Sequence, residues 1–383
     1  MKRVLSFLFA LLLFLPLSSQ SQTIPFSIQH DGNSRGGILY LPSSYTATQS
    51  YPLVFNLHGH GSNANEQMLY SGMNAVAEAH QILVFYPEGL NNSWNNGNTP
   101  PYNSSPNDVG FISALIDSLR LHYSIDSNRV FSCGLSSGGF MSYRLACDLS
   151  QRITAVASVA GTMSELTRDN CSATRTVPVM QVHGSNDNVV PPGGILNLMS
   201  VQDVLDYWIQ HNDCPVQASH ELIPESGVND NSHAIKKTYA ICDSGTDIWY
   251  FEVVGGGHTW PGAMQIPGLG NTCMDFNASQ EIWHFFSRFN MQGGSVDMQE
   301  WSGSGDWNIY PNPNTGTFVV KGLKENTMVE LRLLDMQGRV LKQENKPGSS
   351  ELKWGFTGKA GLYILQVKQG VEISSKSLFI AGE

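Results

Sequence analysis

Two apolar patterns alternate along most of the chain. Short, nearly continuous apolar runs occur at residues 53–57, 82–86, 130–133, 155–159, 177–182 and 248–254. Runs of this length bounded by turn residues read as strands buried on both faces. Between them, apolar residues recur every three or four positions over 66–79, 140–149, 201–211 and 279–289, and at Val109, Ile112, Leu115, Ile116 and Leu119. That spacing predicts helices with one buried face, the helix at 109 being capped by Asp108. Strands that alternate with helices predict an α/β fold, a mostly parallel sheet with helices on both faces and its reactive loops at the carboxyl ends of the strands. Ahead of it, residues 26–30 and 37–41 flank the turn cluster Asp31-Gly32-Asn33 and predict an antiparallel hairpin. Residues 87–107, rich in Asn, Gly, Pro and Ser around Trp94 and Tyr102, form a loop long enough to suggest a functional role.

The pattern changes at both ends. Met1-Lys2-Arg3, the apolar run 4–17 and the small residues Ser19 and Ser21 have the three-part form of a secretory signal, assigned to residues 1–21. The run is too short for a membrane span, which needs about 20 residues, and no later stretch is long enough either. Residues 22–290 are the expected catalytic domain. Gly, Ser and Gln then dominate a linker at 291–305, and short strands at 317–320, 328–334, 361–367 and 374–380 predict a small all-β, sandwich-like domain at 306–383.

Charge narrows the partners. The net charge of −10 is unevenly spread: without Lys2, Arg3 and the nearly balanced segment from Asp306, ten basic face 24 acidic residues, a body near −14. Such a body repels nucleic acid and anionic membranes and fits a neutral or uncharged-polymer substrate. Six cysteines in an exported chain suggest disulfides. Cys214–Cys242 is the preferred pair and Cys147–Cys171 the next, while Cys133 is either a buried thiol or a bridge partner.

The chemistry centres on Gly134-Leu135-Ser136-Ser137-Gly138, a serine on a sharp turn between a strand and a helix. Such an elbow exposes the Ser136 hydroxyl and aims the Ser137 N–H at an oxyanion forming on a substrate carbonyl. A serine hydroxyl needs a base, and the base needs a carboxylate to fix its tautomer. Asp187 follows the run at 177–182 and His258 the run at 248–254. The order Ser136, Asp187, His258 is that of α/β-hydrolases. Asp169 and Asp275 are alternatives for the acid. His58-Gly59-His60-Gly61, after the run at 53–57, is read as the second half of the oxyanion hole, with the His60 N–H as donor and Gly59 as the alternative. A metal site at His58 and His60 lacks a nearby third ligand. Trp94 and Trp260 either line the substrate pocket or pack in the core. The resulting two-step acyl transfer requires no metal or organic cofactor. A serine peptidase would keep the triad and cleave casein or a dipeptide. A surface-displayed glycan-binding protein would bind without ester turnover.

Taken together, Leu57-His58-Gly59-His60-Gly61-Ser62, Tyr70-Ser71-Gly72-Met73-Asn74, the run from Gly134 to Tyr143 and Gly256-Gly257-His258-Thr259-Trp260-Pro261-Gly262 resemble the polyhydroxybutyrate depolymerase and feruloyl esterase family. The resemblance covers about residues 24–289. It implies an α/β-hydrolase fold and secreted carboxylic ester hydrolysis, with Ser136 as nucleophile, His258 as base and Asp187 as orienting acid. The substrate would be a polyester or a feruloyl or acetyl ester of plant polysaccharide, with a slight preference for the latter. Cys273 departs from the polar residue expected there. Tyr310-Pro311-Asn312-Pro313, Gly316, Phe318, the run from Leu334 to Val340 and Gly361-Leu362-Tyr363 resemble the type IX secretion sorting domain. This implies export by that machinery, with the tail removed or anchoring the protein at the cell surface. A polymer-binding tail would need a row of exposed aromatics, and the tail offers scattered ones such as Trp354 and Tyr363.

Overall fold

The computed structural model describes residues 21–291, except 99–102 and 104, and residues 307–380, except 313, 326, 336–339, 357, 359–360 and 371. The signal segment up to residue 20, most of the linker, Tyr102, Pro313 and residues 336–339 of the sorting motif lie outside the described residues.

The alternation of apolar runs and helical spacing produces one large sheet. Its strands are β1 (Gln22–His30), β2 (Asn33–Leu41), β3 (Tyr51–Leu57), β4 (Leu83–Pro87), β5 (Ile125–Leu135), β6 (Ala155–Val159), β7 (Val179–Gly184), β8 (Ser219–Leu222), β9 (His233–Tyr239) and β10 (Ile248–Val254). They lie in the order β1-β2-β4-β3-β5-β6-β7-β10-β9-β8. From β4 to β10 the neighbours run parallel, and both margins are antiparallel.

Strand periodicity divides the core. Leu53, Phe55, Leu57, Leu83 and Phe85 point to one face, where they meet helices α3 (Asp108–His122), α4 (Ser137–Asp148) and α6 (Val201–His211), the short α5 (Glu165–Asp169) lying in the chain between β6 and β7. Val54, Val84, Tyr86, Phe131 and Cys133 point to the other, against α1 (Ala64–Ser71), α2 (Met73–His80) and α7 (Ala278–Phe286). Each fully buried side chain of this size contributes about 2 kcal/mol. This is why the central strands read as unbroken apolar runs.

Several details differ from the sequence reading. The single helix expected at 66–79 is two helices, because Gly72 adopts φ 61°, a left-handed conformation that ends α1 and starts α2 at a new angle. The N-cap of α3 is Asn107, whose side chain accepts from the Gly110 N–H. Asp108 instead turns inward, fully buried against Arg35 at 2.5 Å. Strands β8 and β9 had no apolar signal, since β8 is exposed throughout and β9 carries Lys236 and Lys237. Lys236 lies over the Trp249 ring at 3.2 Å, so its charge is held by an aromatic face. Disulfides join Cys147 to Cys171 and Cys214 to Cys242, and Cys133 and Cys273 are buried thiols.

Beyond residue 306 the strands β11 (Asn308–Tyr310), β12 (Thr317–Lys321), β13 (Met328–Leu334), β14 (Val340–Pro347), β15 (Glu351–Gly355), β16 (Gly361–Gln369) and β17 (Glu372–Ile380) form two antiparallel sheets, β11-β12-β15 and β14-β13-β16-β17. Phe318, Val320 and Trp354 of the first share a core with Leu331, Leu333 and Leu365 of the second. Trp354 and Tyr363 are both buried, so neither contributes to an exposed binding row. No helix among the described residues is long and apolar enough to cross a membrane.

Candidate active site

The candidate residues converge on the carboxyl ends of the parallel strands. Ser136 sits between β5 and α4 with φ 54° and ψ −118°, a strained conformation for a residue with a side chain. Its neighbours hold it there. The Ser136 N–H donates to Val159 O at 2.8 Å, and its carbonyl accepts from the Gly139 and Phe140 N–H groups. Close approach fixes Gly138, since a Cβ there would lie 2.2 Å from Leu57 O. Strain in the Ser136 backbone therefore follows from packing the elbow directly against the end of β3.

Asp187 and His258 are brought together by the pairing of β7 with β10. Ser185 N donates to Val253 O and Asn186 N to Gly256 O, both at 2.9 Å, so the two post-strand loops run side by side. His258 Nδ1–H donates to Asp187 Oδ2 at 2.8 Å, with the carboxylate fully buried and the ring nearly so. Asp187 Oδ1 accepts the N–H groups of Val189 and Val190, which fixes the carboxylate plane. Nε2 of His258 is thereby left as the basic nitrogen. Among the described residues no hydrogen bond links Ser136 Oγ to this ring, and such contacts commonly tighten only around substrate. The alternative acids lie elsewhere: Asp169 is exposed beside Arg168, and Asp275 accepts from the Ser226 N–H.

A second, buried polar layer supports Asp187. The Gln181 amide donates to His183 Nδ1 at 3.0 Å, so His183 carries its proton on Nε2, 2.8 Å from Val190 O and 3.5 Å from Asp187 Oδ2. Burial lowers the His183 pKa and keeps the ring neutral. Gln181 is held in turn by the Tyr143 hydroxyl at 2.6 Å and by Gly161 O at 2.7 Å. Neither Gln181 nor Tyr143 stood out in the sequence, where each is one polar position inside an apolar segment.

The loop at 87–107 is tied to α4. Asn96 Nδ2 donates to Ser137 Oγ at 2.7 Å, and Arg144 binds the carbonyl and side chain of Asn95. Trp94 and Trp260 are both wholly buried. Trp94 donates its indole N–H to His58 O, and Trp260 donates its own to Ser279 Oγ while its backbone N–H meets the Tyr70 hydroxyl. Both indoles brace these loops from within the core, the packing role that the sequence offered beside a place in a substrate pocket. His60 is exposed, its Nδ1 3.1 Å from Ser93 Oγ. His58 has both ring nitrogens engaged by backbone groups, so it offers no lone pair to a metal. Asp230, Cys273 and Asp275 bring three ligand-type atoms within 4.8 Å of one another. Their carboxylates already accept from the Met274, Ser232 and Ser226 N–H groups, and burial pushes the Cys273 thiol up to about 11. A cavity of about 340 Å³ bordered by Pro25, Arg35, Glu88 and Leu90 contains none of the candidate residues.

Comparison with known proteins sets this chain among esterases. Residues 103–239 match the phospholipase/carboxylesterase family, and residues 308–381 match a secretion system C-terminal sorting domain. The chain is 28% identical over 291 residues to the bifunctional acetylxylan esterase/xylanase XynS20E of Neocallimastix patriciarum, covering 75% of this chain but only 38% of that protein. It is 30% identical over 208 residues to a probable feruloyl esterase C of Aspergillus niger, covering 52% of this chain and 69% of the relative. The solved acetyl xylan esterase from Aspergillus awamori shares the fold, with a TM-score of 0.50 at 14% identity over 70% of this chain and 98% of that one.

Proposed function

Because the chain belongs to the feruloyl esterase family of carboxylic ester hydrolases with the α/β-hydrolase fold, we propose that it is a secreted serine esterase that removes feruloyl or acetyl groups from plant polysaccharide. The observation that carries the mechanism is the buried 2.8 Å bond between His258 Nδ1 and Asp187, at the same carboxyl ends of the strands as the strained Ser136. Ser136 Oγ attacks the ester carbonyl as His258 Nε2 takes its proton, and the oxyanion is received by the N–H groups of Ser137 and His60. One such donor is typically worth about 3 kcal/mol in the barrier. The alcohol leaves with the proton from His258, and water activated by the same nitrogen releases the acid and frees Ser136.

The C-terminal sorting domain marks the chain for secretion or cell-surface attachment. We further propose that residues 1–21 are a signal, 22–290 the catalytic domain and 291–305 a linker, and that the tail at 306–383 is read by the type IX machinery. The acetylxylan and feruloyl esterases among the relatives support polysaccharide esters over polyester.

The test compares ferulate release from arabinoxylan, acetate release from acetylated xylan and clearing of a polyhydroxybutyrate suspension, each with the parent and Ser136→Ala. The expected result is release from at least one polysaccharide ester that Ser136→Ala abolishes. Polyester clearing alone would replace the substrate class, and full turnover by Ser136→Ala would remove the mechanism.

A further inference from the structure

His58 stands at the end of β3, wholly buried, with both ring nitrogens taken by the backbone. The Gly89 N–H donates to Nε2 at 3.0 Å. A nitrogen that accepts carries no proton, so the proton resides on Nδ1, and Nδ1–H donates to the carbonyl of Gly59 at 2.7 Å, the shorter of two bonds to that oxygen, which also accepts the Ser62 N–H at 3.2 Å. The ring packs against Trp94, with centroids 4.9 Å apart, and the Trp94 indole N–H closes the arrangement on His58 O at 2.8 Å. Farther along the loop, the Gly61 N–H donates to Asn92 O at 2.8 Å. Burial lowers the His58 pKa, and protonating Nε2 would set an N–H against the Gly89 N–H.

Gly59 adjoins the nucleophile: a Cβ built on it would lie 3.6 Å from both Ser136 Cβ and Leu135 O. In a trans peptide the carbonyl and the following N–H point to opposite sides. Holding Gly59 O at His58 Nδ1 therefore turns the His60 N–H away from the His58 ring. A flip of this one peptide would reverse the pair and put a carbonyl oxygen where an N–H is needed, turning attraction for an oxyanion into repulsion.

We propose that His58 is a positioning residue that locks the Gly59–His60 peptide, so that the His60 N–H and not the Gly59 carbonyl faces the substrate oxyanion. The inference rests on reading Ser136 as the nucleophile. His58 acts without touching substrate, through the orientation of one peptide.

The experiment measures kcat and KM on p-nitrophenyl acetate, and the inhibition constant of phenylboronic acid as a probe of the tetrahedral adduct, for the parent, His58→Phe, His58→Asn and Ser136→Ala. His58→Phe keeps a flat ring and loses the donor. It is expected to lower kcat about 10²–10³-fold with KM within about threefold, and to weaken the boronic acid by a similar factor. His58→Asn keeps an N–H at the position of Nδ1 and is expected to recover at least tenfold of that loss. A folded His58→Phe with parental kcat and boronic acid affinity overturns the inference, as does a His58→Asn no better than His58→Phe. Retained turnover in Ser136→Ala would instead remove the proposed mechanism itself. Should His58→Phe fail to fold, nitrogen NMR of histidine-labelled parent protein decides: a neutral ring protonated on Nδ1 supports the lock, and protonation on Nε2 overturns it.

Discussion

Asp187 shows how two backbone donors can decide the chemistry of a third group. The Val189 and Val190 N–H groups both point at Oδ1, so in Asp187→Asn that atom must remain the oxygen and the amide nitrogen is forced toward His258. The imidazole then accepts at Nδ1 and carries its proton on Nε2, the wrong tautomer for a base. The expected outcome is a fall in kcat of about 10⁴-fold with KM little changed, read from initial rates on a p-nitrophenyl ester. A loss of less than tenfold would show that Asp187 does not set the tautomer. The meeting of Asp187 with His258, at the strand ends where Ser136 also sits, was legible in the sequence because each of the three stands a few residues beyond an apolar run. Gln181, His183 and Tyr143 were harder to weigh. Their contribution depends on meeting one another across β7 and α4, and nothing in the local pattern encodes that meeting. The indoles of Trp94 and Trp260 went the other way: the same burial that makes an aromatic useful in a pocket makes it useful in a core, and here the core took both.

The central elements were readable because burial on both faces leaves no room for polar positions. The margins were not: β8 is wholly exposed and β9 is half-buried and rich in lysine, so a strand defined by pairing alone left no periodic trace. Gly72 split a helix whose apolar spacing continued straight through the break. Between β7 and α6 a small hairpin pairs Ile195 with Leu198, and its tip residue Leu196 has φ 52° with 91% of its surface exposed. A leucine in this left-handed conformation costs about 1 kcal/mol, whereas asparagine tolerates it. Leu196→Asn is therefore expected to stabilise the protein by about 1 kcal/mol in urea denaturation. A loss of stability would contradict the strain assigned to this turn.

For the molecule as a whole, charge separated an acidic α/β body from a nearly neutral all-β tail, and the change in hydrophobic period marked the same division independently. What composition could not convey is how much of the body's interior is polar and titratable. His58 and His183 are held neutral by burial, with pKa values below the ordinary 6.5. Below pH 6.5 the unfolded chain takes up protons that the folded chain refuses, so stability is complete above that pH and declines as pH falls toward the lowered values. Denaturation at pH 7.5, 6 and 5 should show this fall, and a midpoint that rises on acidification would contradict it. The central claim is that Ser136 is the one residue acylated during turnover. It is tested most directly by treating the protein with an aryl fluorophosphonate and locating the adduct by peptide mass spectrometry. The account predicts one adduct per chain, on the peptide carrying Ser136, with activity lost in step and no labelling of Ser136→Ala. Labelling of Ser136→Ala at the parental rate, or full activity in protein modified at Ser136, would contradict it.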